Sequence, residues 1–409
     1  MSKIKIKNFG PIKEGCQEND GWIDIKKVTV FIGNQGSGKS TVAKVFSTLT
    51  WMEKALNRGD IDKGKLNLDM FYSFFKYQRI RNYFRDDTVI EYEGDSAKII
   101  YNKKLLSLPK DQMVKNNIFN VPKIMYVPAE RNFLSVVKNA YGIKNLPDTL
   151  YTFAEELRKG QLELNDKLLL LPISKLEYKY NSDNETSYIL GENFELDLLE
   201  SSSGFQSFVP LYLVTKFLTD ELQKEDNVLR ERLSVEQSVR RNREIAEVMF
   251  NTGLHESEKT RKVNEIDSKY LNTCFINIVE EPEQNLFPTS QKQMLFSLLE
   301  FNNLSEGNKL VMTTHSPYLI NYLTLAVKAD TLKEKVVTDK SKNKLQKIVP
   351  FASTINPNDL AIYQLDEEKG IIERLEPYHG LPSDDNSLNE KIGESNELFA
   401  QLLEIQQGL

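Results

Sequence analysis

Three short stretches carry residue types that do chemistry on phosphate esters. Gly33 to Ser40, with Asn34, Gln35, Gly36, Ser37, Gly38 and Lys39 between them, reads G-x-x-x-x-G-K-S and runs on through Thr41. Glycines let backbone N–H groups curl round phosphate oxygens. A lysine at this spacing reaches the β and γ oxygens, and the next serine offers its hydroxyl to Mg²⁺ at a helix N-terminus. The second stretch is VEEPEQNLFP, where Glu280 and Glu281 end an apolar run and Pro282 stops it. Adjacent carboxylates at the exit of a buried strand are costly unless they meet a cation or handle protons. Strand alternation sends neighbours to opposite sides, which assigns Glu280 to Mg²⁺, usually through water, and Glu281 to orienting or deprotonating an attacking water. The third is KLVMTTHSP, where His315 follows an apolar strand and precedes a Ser-Pro that opens a helix. Its ring is thereby placed at the edge where α/β sheets bind ligands, a position suited to sensing a γ-phosphate. These stretches describe a nucleoside triphosphate site with Lys39, Glu281 and His315 as catalytic residues and Ser40 and Glu280 as metal ligands.

A fourth stretch, ESSSGFQ, sets Ser202, Ser203 and Gly204 just before an apolar helix. Such a start makes a second anion-binding helix N-terminus. One nucleotide does not need two such cradles from one subunit.

The elements that must position these residues are legible around them. Lys3–Asn8, GWIDI and KVTVFIG read as strands leading into the phosphate-binding loop, and helix-forming sequence continues to about Leu56. DMFYSFFKYQRIRNYF reads as a helix whose aromatic face packs on the core, and TVIEYEGDSAKIIYN as a hairpin turning at Gly94-Asp95. KIMYVPAE is a buried strand reaching Glu130, and QSFVPLYLVTKFL a helix apolar nearly all round. From Asp220 to Tyr270 the chain is highly charged and lacks proline, with Leu222, Leu229 and Leu233 at helical spacing, which reads as a projecting helical hairpin. A lysine-rich segment from Lys328 to Lys347 reads as a solvated face, and a hairpin around DEEKG precedes a last helix, NELFAQLLEI.

Composition narrows the function classes. The net charge of −6 argues against a surface that coats nucleic acid uniformly, although a local basic patch such as Arg240, Arg241 and Arg243 stays open as a docking or nucleic-acid surface. Two cysteines, Cys16 and Cys274, and three histidines give neither a disulfide framework nor a rich metal-ligand set. No apolar run reaches the roughly 18 residues that cross a bilayer, so the reading is cytoplasmic with no membrane partner.

In this order, the phosphate loop, SSSGFQ, VEEPE and TTHSP resemble the Walker A, signature, Walker B and switch-histidine motifs of ABC-class ATPases, and more narrowly of their soluble Rad50/SMC/RecF/OLD-like branch. The resemblance covers most of Lys3 to about Lys328. It implies an α/β fold, an ABC-type ATPase head with a mixed central sheet, an antiparallel β-subdomain, a helical lobe and a short helical hairpin insertion. The segments expected are an N-terminal ATPase lobe at 1–130, a helical lobe at 131–219, a charged arm at 220–270, a C-terminal ATPase lobe at 271–330 and an extension at 331–409. The cofactors implied are ATP and Mg²⁺, with ATP hydrolysed to ADP and phosphate. The assembly implied is a head-to-head dimer, or a higher homo-oligomer built on it, in which Ser202, Ser203 and Gly204 of one head touch the γ-phosphate held by the other.

Four departures refine the resemblance. Ala129 and Glu130 stand where transporter-like members carry a glutamine, leaving that role to Glu130 or Gln78. Glu280 replaces the more frequent Asp, and Phe287 a frequent His. The arm is too short for a Rad50 or SMC coiled coil at about 1.5 Å of rise per residue. After Leu319 no Glu followed by an Asp-x-Asp pair marks a Toprim nuclease. The function implied is that of a stand-alone ATPase, as in PARIS and Septu anti-phage defence, that senses or gates a separately encoded effector such as a nuclease or toxin. The alternatives are a RecF-like DNA clamp in repair and, behind it, a transporter motor.

Overall fold

In the computed structural model, which describes residues 2–109, 120–137, 142–224 and 233–407, the chain is mixed α/β and built on three sheets. The central one is seven-stranded, in the order Gly15–Cys16, Ile371–Arg374, Leu360–Asp366, Val28–Gly33, Lys309–Thr314, Cys274–Glu280, Pro122–Val127. From Leu360–Asp366 to Pro122–Val127 every neighbouring pair is parallel, so these strands all end at the same edge. The register is level there: Gly33 lies opposite Leu365, Ile32 opposite Thr314, and Glu280 opposite Thr313.

Alternation along these strands fills two cores. Val28, Val30, Ile32, Phe275, Val279, Leu310 and Met312 face one, together with the helices Asp148–Glu163, Ser203–Gln223, Pro288–Asn303 and Pro317–Lys333. Phe31, Ile276, Ile278 and Val311 face the other, against the helix Lys39–Arg58 and a five-stranded antiparallel sheet. A parallel sheet covered on both faces demands near-continuous apolar strands, and these sequences supply them.

Lys39–Arg58 buries Val42, Val45, Phe46, Leu49 and Met52 at helical spacing, and it stops at Gly59, whose φ of +79° allows the left-handed C-cap. The aromatic stretch forms a helix, Leu68–Tyr77, followed by a short 3₁₀ turn and a strand that starts at Phe84. Phe71 and Phe75 pack edge-on against Phe84, so the stripe is core. The hairpin across Gly94 forms as expected, from Phe84–Glu93 and Lys98–Asn102.

The structure departs from the sequence reading in three places. A four-stranded antiparallel sheet, Leu168–Leu170, Glu177–Asn181, Thr186–Gly191 and Phe194–Asp197, sits inside the lobe that precedes the helix Ser203–Gln223. The arm is a helix pair, Val235–Met249 and Glu256–Ser268, but Leu222 belongs to the preceding helix Ser203–Gln223 and packs toward the core, and Leu229 lies outside the described residues. Leu360–Asp366, within the segment read as an extension, is an interior strand beside the phosphate-loop strand. Among the described residues no helix is long and apolar enough to cross a membrane.

Candidate functional site

The phosphate loop begins where Val28–Gly33 leaves the sheet. Gly33 has φ +141°, and a Cβ there would meet the Leu365 carbonyl oxygen at 2.4 Å, so the neighbouring strand excludes any side chain. Gly36 and Gly38 also take positive φ, +80° and +103°, which turns successive N–H groups inward ahead of the helix. Lys39 is buried and donates to the carbonyls of Gly33 and Asn34, both at 2.8 Å, folding its amine back across the loop. Burial lowers its pKa to about 8 against the pull of Glu281, Glu283, Glu367 and Glu280. Ser37 Oγ is buried without a partner, and Asn34 is fixed from outside by Glu367 at 2.7 Å.

Glu280 ends its strand almost fully buried. Its Oε1 accepts from the Tyr126 hydroxyl at 2.5 Å and lies 3.9 Å from Lys44 Nζ, while Oε2 accepts from the Ala129 N–H at 3.2 Å. Lys44 sits one turn along the helix from Ser40, so the carboxylate faces the phosphate-loop helix, as alternation requires.

Glu281 reaches the site by a different route. Its φ is +42°, a left-handed conformation, and its N–H donates to the Thr313 carbonyl at 2.9 Å. Continued extension would have sent its side chain to the opposite face of the sheet. The left-handed turn brings it back, so it lines one cleft with Gln35, Gly36, Gly38, Lys39, Ser40, Thr41 and His315. Backbone conformation, not strand alternation, therefore aims Glu281. His315 Nε2 lies 3.5 Å from Glu281 Oε1, and that contact holds the Glu281 carboxyl below the usual carboxylate range against partial burial.

A third carboxylate fixes the histidine. Glu283 Oε1 accepts from the Thr314 hydroxyl at 2.6 Å and the His315 N–H at 2.8 Å, while its Oε2 is buried without a partner. Burial pushes the Glu283 carboxyl up. The second residue after His315 is proline, and Ser316 Oγ donates to Gln291 Oε1 at 2.6 Å, so the chain on both sides of the ring is tethered.

The cleft has a volume of about 620 Å³, and its far wall comes from the antiparallel sheet region: Gly10, Pro11, Asn82, Tyr83 and Arg85. Arg85 donates to the Gly10 carbonyl at 2.7 Å, which locks that wall. The set fits a triphosphate with Mg²⁺ through a glycine cradle that a Cβ would fill and an orphaned serine hydroxyl in the loop, while Glu280, which faces Lys44 on the phosphate-loop helix, does not itself line the cleft. Among the described residues no group of three or more His, Cys, Asp or Glu could hold a metal ion by itself. Ser40 and Glu280 would hold it, and when bound it neutralises charge on the phosphate oxygens.

Ser202, Ser203 and Gly204 stand apart from this cleft and do not line it. Ser202 caps Ser203–Gln223 without a side-chain bond, and it and Ser203 are exposed. Gly204 backs onto its own chain, where a Cβ would stand 3.0 Å from the Asn285 carbonyl oxygen. Glu130 is exposed on the 3₁₀ turn Ala129–Asn132, and Gln78 is buried against Ser47 Oγ at 3.2 Å and lines no part of the cleft. Neither is brought to the phosphate loop. Of the arm's arginines, Arg240 pairs with Asp60 and Arg241 with Asp267, each at 2.7 Å, and Arg243 is exposed.

Residues 1–140, which hold the loop and the cleft's far wall, match the family model AAA ATPase domain. A search of curated proteins finds no match. Among solved structures, an SMC head domain from Thermotoga maritima is similar over 93% of this chain and 98% of its own, at 10% identity and a TM-score of 0.37. A dimeric ATP-binding cassette in a post-hydrolysis state bound to ADP and Pi is similar over 92% and 100%, at 12% identity and a TM-score of 0.26.

Sequence reasoning missed Tyr126, Arg131, Glu283 and the far wall. Glu283 was visible as a third carboxylate in VEEPE. The wall residues lie on elements with no motif of their own, and only the fold assembles them.

Proposed function

We propose that this chain hydrolyses ATP with Mg²⁺ as an ABC-class head, that two copies close on two nucleotides, and that the closed state gates a separately encoded effector in anti-phage defence. The observation that carries the reading is the contrast between the two cradles in one chain. The first faces its own Lys39, Glu281 and His315, and the second presents exposed, uncapped N–H groups to the outside. An anion site with no anion-handling residues of its own chain suits a ligand held by another copy.

Within the site, Lys39 binds the β and γ phosphates, Glu281 orients or deprotonates the attacking water, and His315 contacts the γ-phosphate side of the cleft. Glu283 holds the histidine backbone. Effector gating is supported by the resemblance to stand-alone defence ATPases and by the helix pair, which is fastened to the end of the phosphate-loop helix through Asp60.

Mixing a Lys39→Ala subunit with a Ser202→Arg subunit tests the paired arrangement. Each alone is expected to be inactive, and the mixture to recover at most one competent site per dimer. Normal hydrolysis by Ser202→Arg alone would remove the trans contact. A DNA clamp is favoured by one feature, the exposed Lys340, Lys342, Lys344 and Lys347 on the helix Asp339–Ile348. Strong, salt-sensitive stimulation by duplex DNA would select it, and indifference to DNA with a co-purifying neighbour-encoded protein selects the defence subunit.

A further inference from the structure

Among the described residues Arg131 is the largest fully buried side chain, and among them it pairs with no carboxylate in direct contact. Every bond it makes goes to a backbone carbonyl: Nε to Ser207 at 3.1 Å, one terminal nitrogen to Pro128 at 3.3 Å and Glu280 at 2.7 Å, the other to Glu281 at 2.7 Å. A buried guanidinium carries a large desolvation cost, and its rigid fork is the reason to keep it where several acceptors must be held at fixed angles. Here the fork joins three segments: the turn after Pro122–Val127, the exit of the carboxylate strand, and the second turn of the helix that begins at Ser203.

Two further contacts run along the same seam. Asn285 Nδ2 donates to Ser207 Oγ at 3.0 Å, and Gly204 packs against the Asn285 carbonyl. The start of the signature helix is thus bolted to the loop that carries Glu281. The left-handed φ of Glu281 is a strained conformation that persists only where neighbours over-determine it. The Thr313 carbonyl on one side and Arg131 on the other supply that determination.

We infer that Arg131 is a positioning residue that couples the signature helix to Glu281 of the same chain, so that a nucleotide closing on Ser202–Gly204 sets the carboxylate serving the other nucleotide. The inference rests on the paired-cradle reading above. It makes the two sites of the closed assembly interdependent: each chain reports occupancy at its exposed cradle to the water-handling residue in its own cleft. A lysine has the charge but only one nitrogen, and it cannot span carbonyls on three segments.

Steady-state hydrolysis by Arg131→Lys tests this. The expected result is a kcat at least tenfold lower, KM for ATP within about twofold, and a Hill coefficient for ATP moved toward one. In a Glu281→Gln background the same substitution should remove less than a further twofold, because the residue it positions is already disabled. An unchanged kcat, or a full tenfold loss on top of Glu281→Gln, overturns the coupling. If Arg131→Lys does not fold, Ser207→Ala, which removes only the Asn285 tether, carries the test: a several-fold fall in kcat with KM unchanged supports it, and wild-type turnover overturns it. Failure of the paired-cradle reading is separable, because it would appear as normal hydrolysis by Ser202→Arg, whatever Arg131→Lys does.

Discussion

The helices Lys39–Arg58 and Ser203–Gln223 both begin at small residues on the side of the sheet where the parallel strands end, yet they are finished differently. The first starts beneath a loop whose glycines adopt positive φ, against a buried lysine, two glutamates and a histidine. The second starts exposed, with no side chain capping its first turn, and beside it lie Asn285, Leu286 and the turn at Leu198–Glu200 from its own chain. Both ends offer N–H groups and a positive dipole. Only one has groups that could do chemistry on what it binds. Anion binding is therefore a general property of helix starts, and catalysis here depends on which strand exits the fold brings beside them.

That contrast can be broken most directly at Glu281. Glu281→Gln keeps the size and the left-handed backbone position but cannot take a proton, and kcat should fall roughly 10²- to 10⁴-fold while ATP binding persists. Single-turnover hydrolysis beside a nucleotide-binding titration separates the two quantities. Retained hydrolysis would mean that the completed cradle is not what Glu281 completes.

The exposed cradle is sharpened by Gly204→Val. The added Cβ meets the Asn285 carbonyl at 3.0 Å and the branched side chain crowds the N–H groups, with Lys39 and its cleft untouched. Loss of one anion-stabilising contact is expected to cost on the order of 10²-fold in turnover. Monomeric nucleotide binding should stay within about twofold, read by equilibrium titration at low protein concentration. Weakened binding in that regime would place the second helix start in its own chain's site.

How far the sequence exposed this contrast follows from the residues themselves. Gly33, Glu280 and His315 could be placed at strand ends because each closes or follows an apolar run, and Lys39 at a helix start because it follows the glycine loop, so local pattern is enough for that. Glu281 was assigned to the cleft, but by alternation, which predicts the wrong face. Its left-handed turn depends on Thr313 and Arg131, residues distant in sequence. Arg131 looked like a charge after a strand, and nothing local says that its partners are carbonyls 76 and 150 residues away. In the lobe before Ser203 helical and strand pieces were legible, but not their pairing into one sheet, because the strands are short and half-exposed, with weak alternation.

A smaller effect separates the cradles by protons. Lys39 sits near a pKa of about 8 because burial disfavours its charge. Phosphate oxygens favour the charged form and raise that value again, so nucleotide binding takes up protons: about half a proton per site at pH 8 and about a tenth at pH 7. Affinity then weakens as pH rises from about 8 toward the ordinary lysine value. Calorimetry at pH 8 in two buffers of different ionisation heat measures the uptake. Lys39→Arg should abolish it, since a guanidinium stays charged throughout. The exposed cradle has no lysine of its own and contributes nothing to this linkage.

The smallest effect is expected at the arm, where the phosphate-loop helix ends. Asp60 accepts from Arg58 Nε and Arg240 at 2.7 Å each, and from Gln237 at 3.0 Å, so it joins the last turn of that helix to the first turns of Val235–Met249. Asp60→Ala strips three donors of their acceptor in a partly buried setting. The cost should be about 1–3 kcal/mol, seen as a shift of a few degrees in the thermal midpoint. Turnover at a temperature well below that midpoint should stay within about twofold, because the bonds lie at the opposite end of the helix from Lys39. If turnover instead falls as it does for Gly204→Val, the arm is not a passive attachment. Its position would then be felt along the helix at the completed cradle, and the division between a catalytic helix start and an external one would have to include the far end of the first helix.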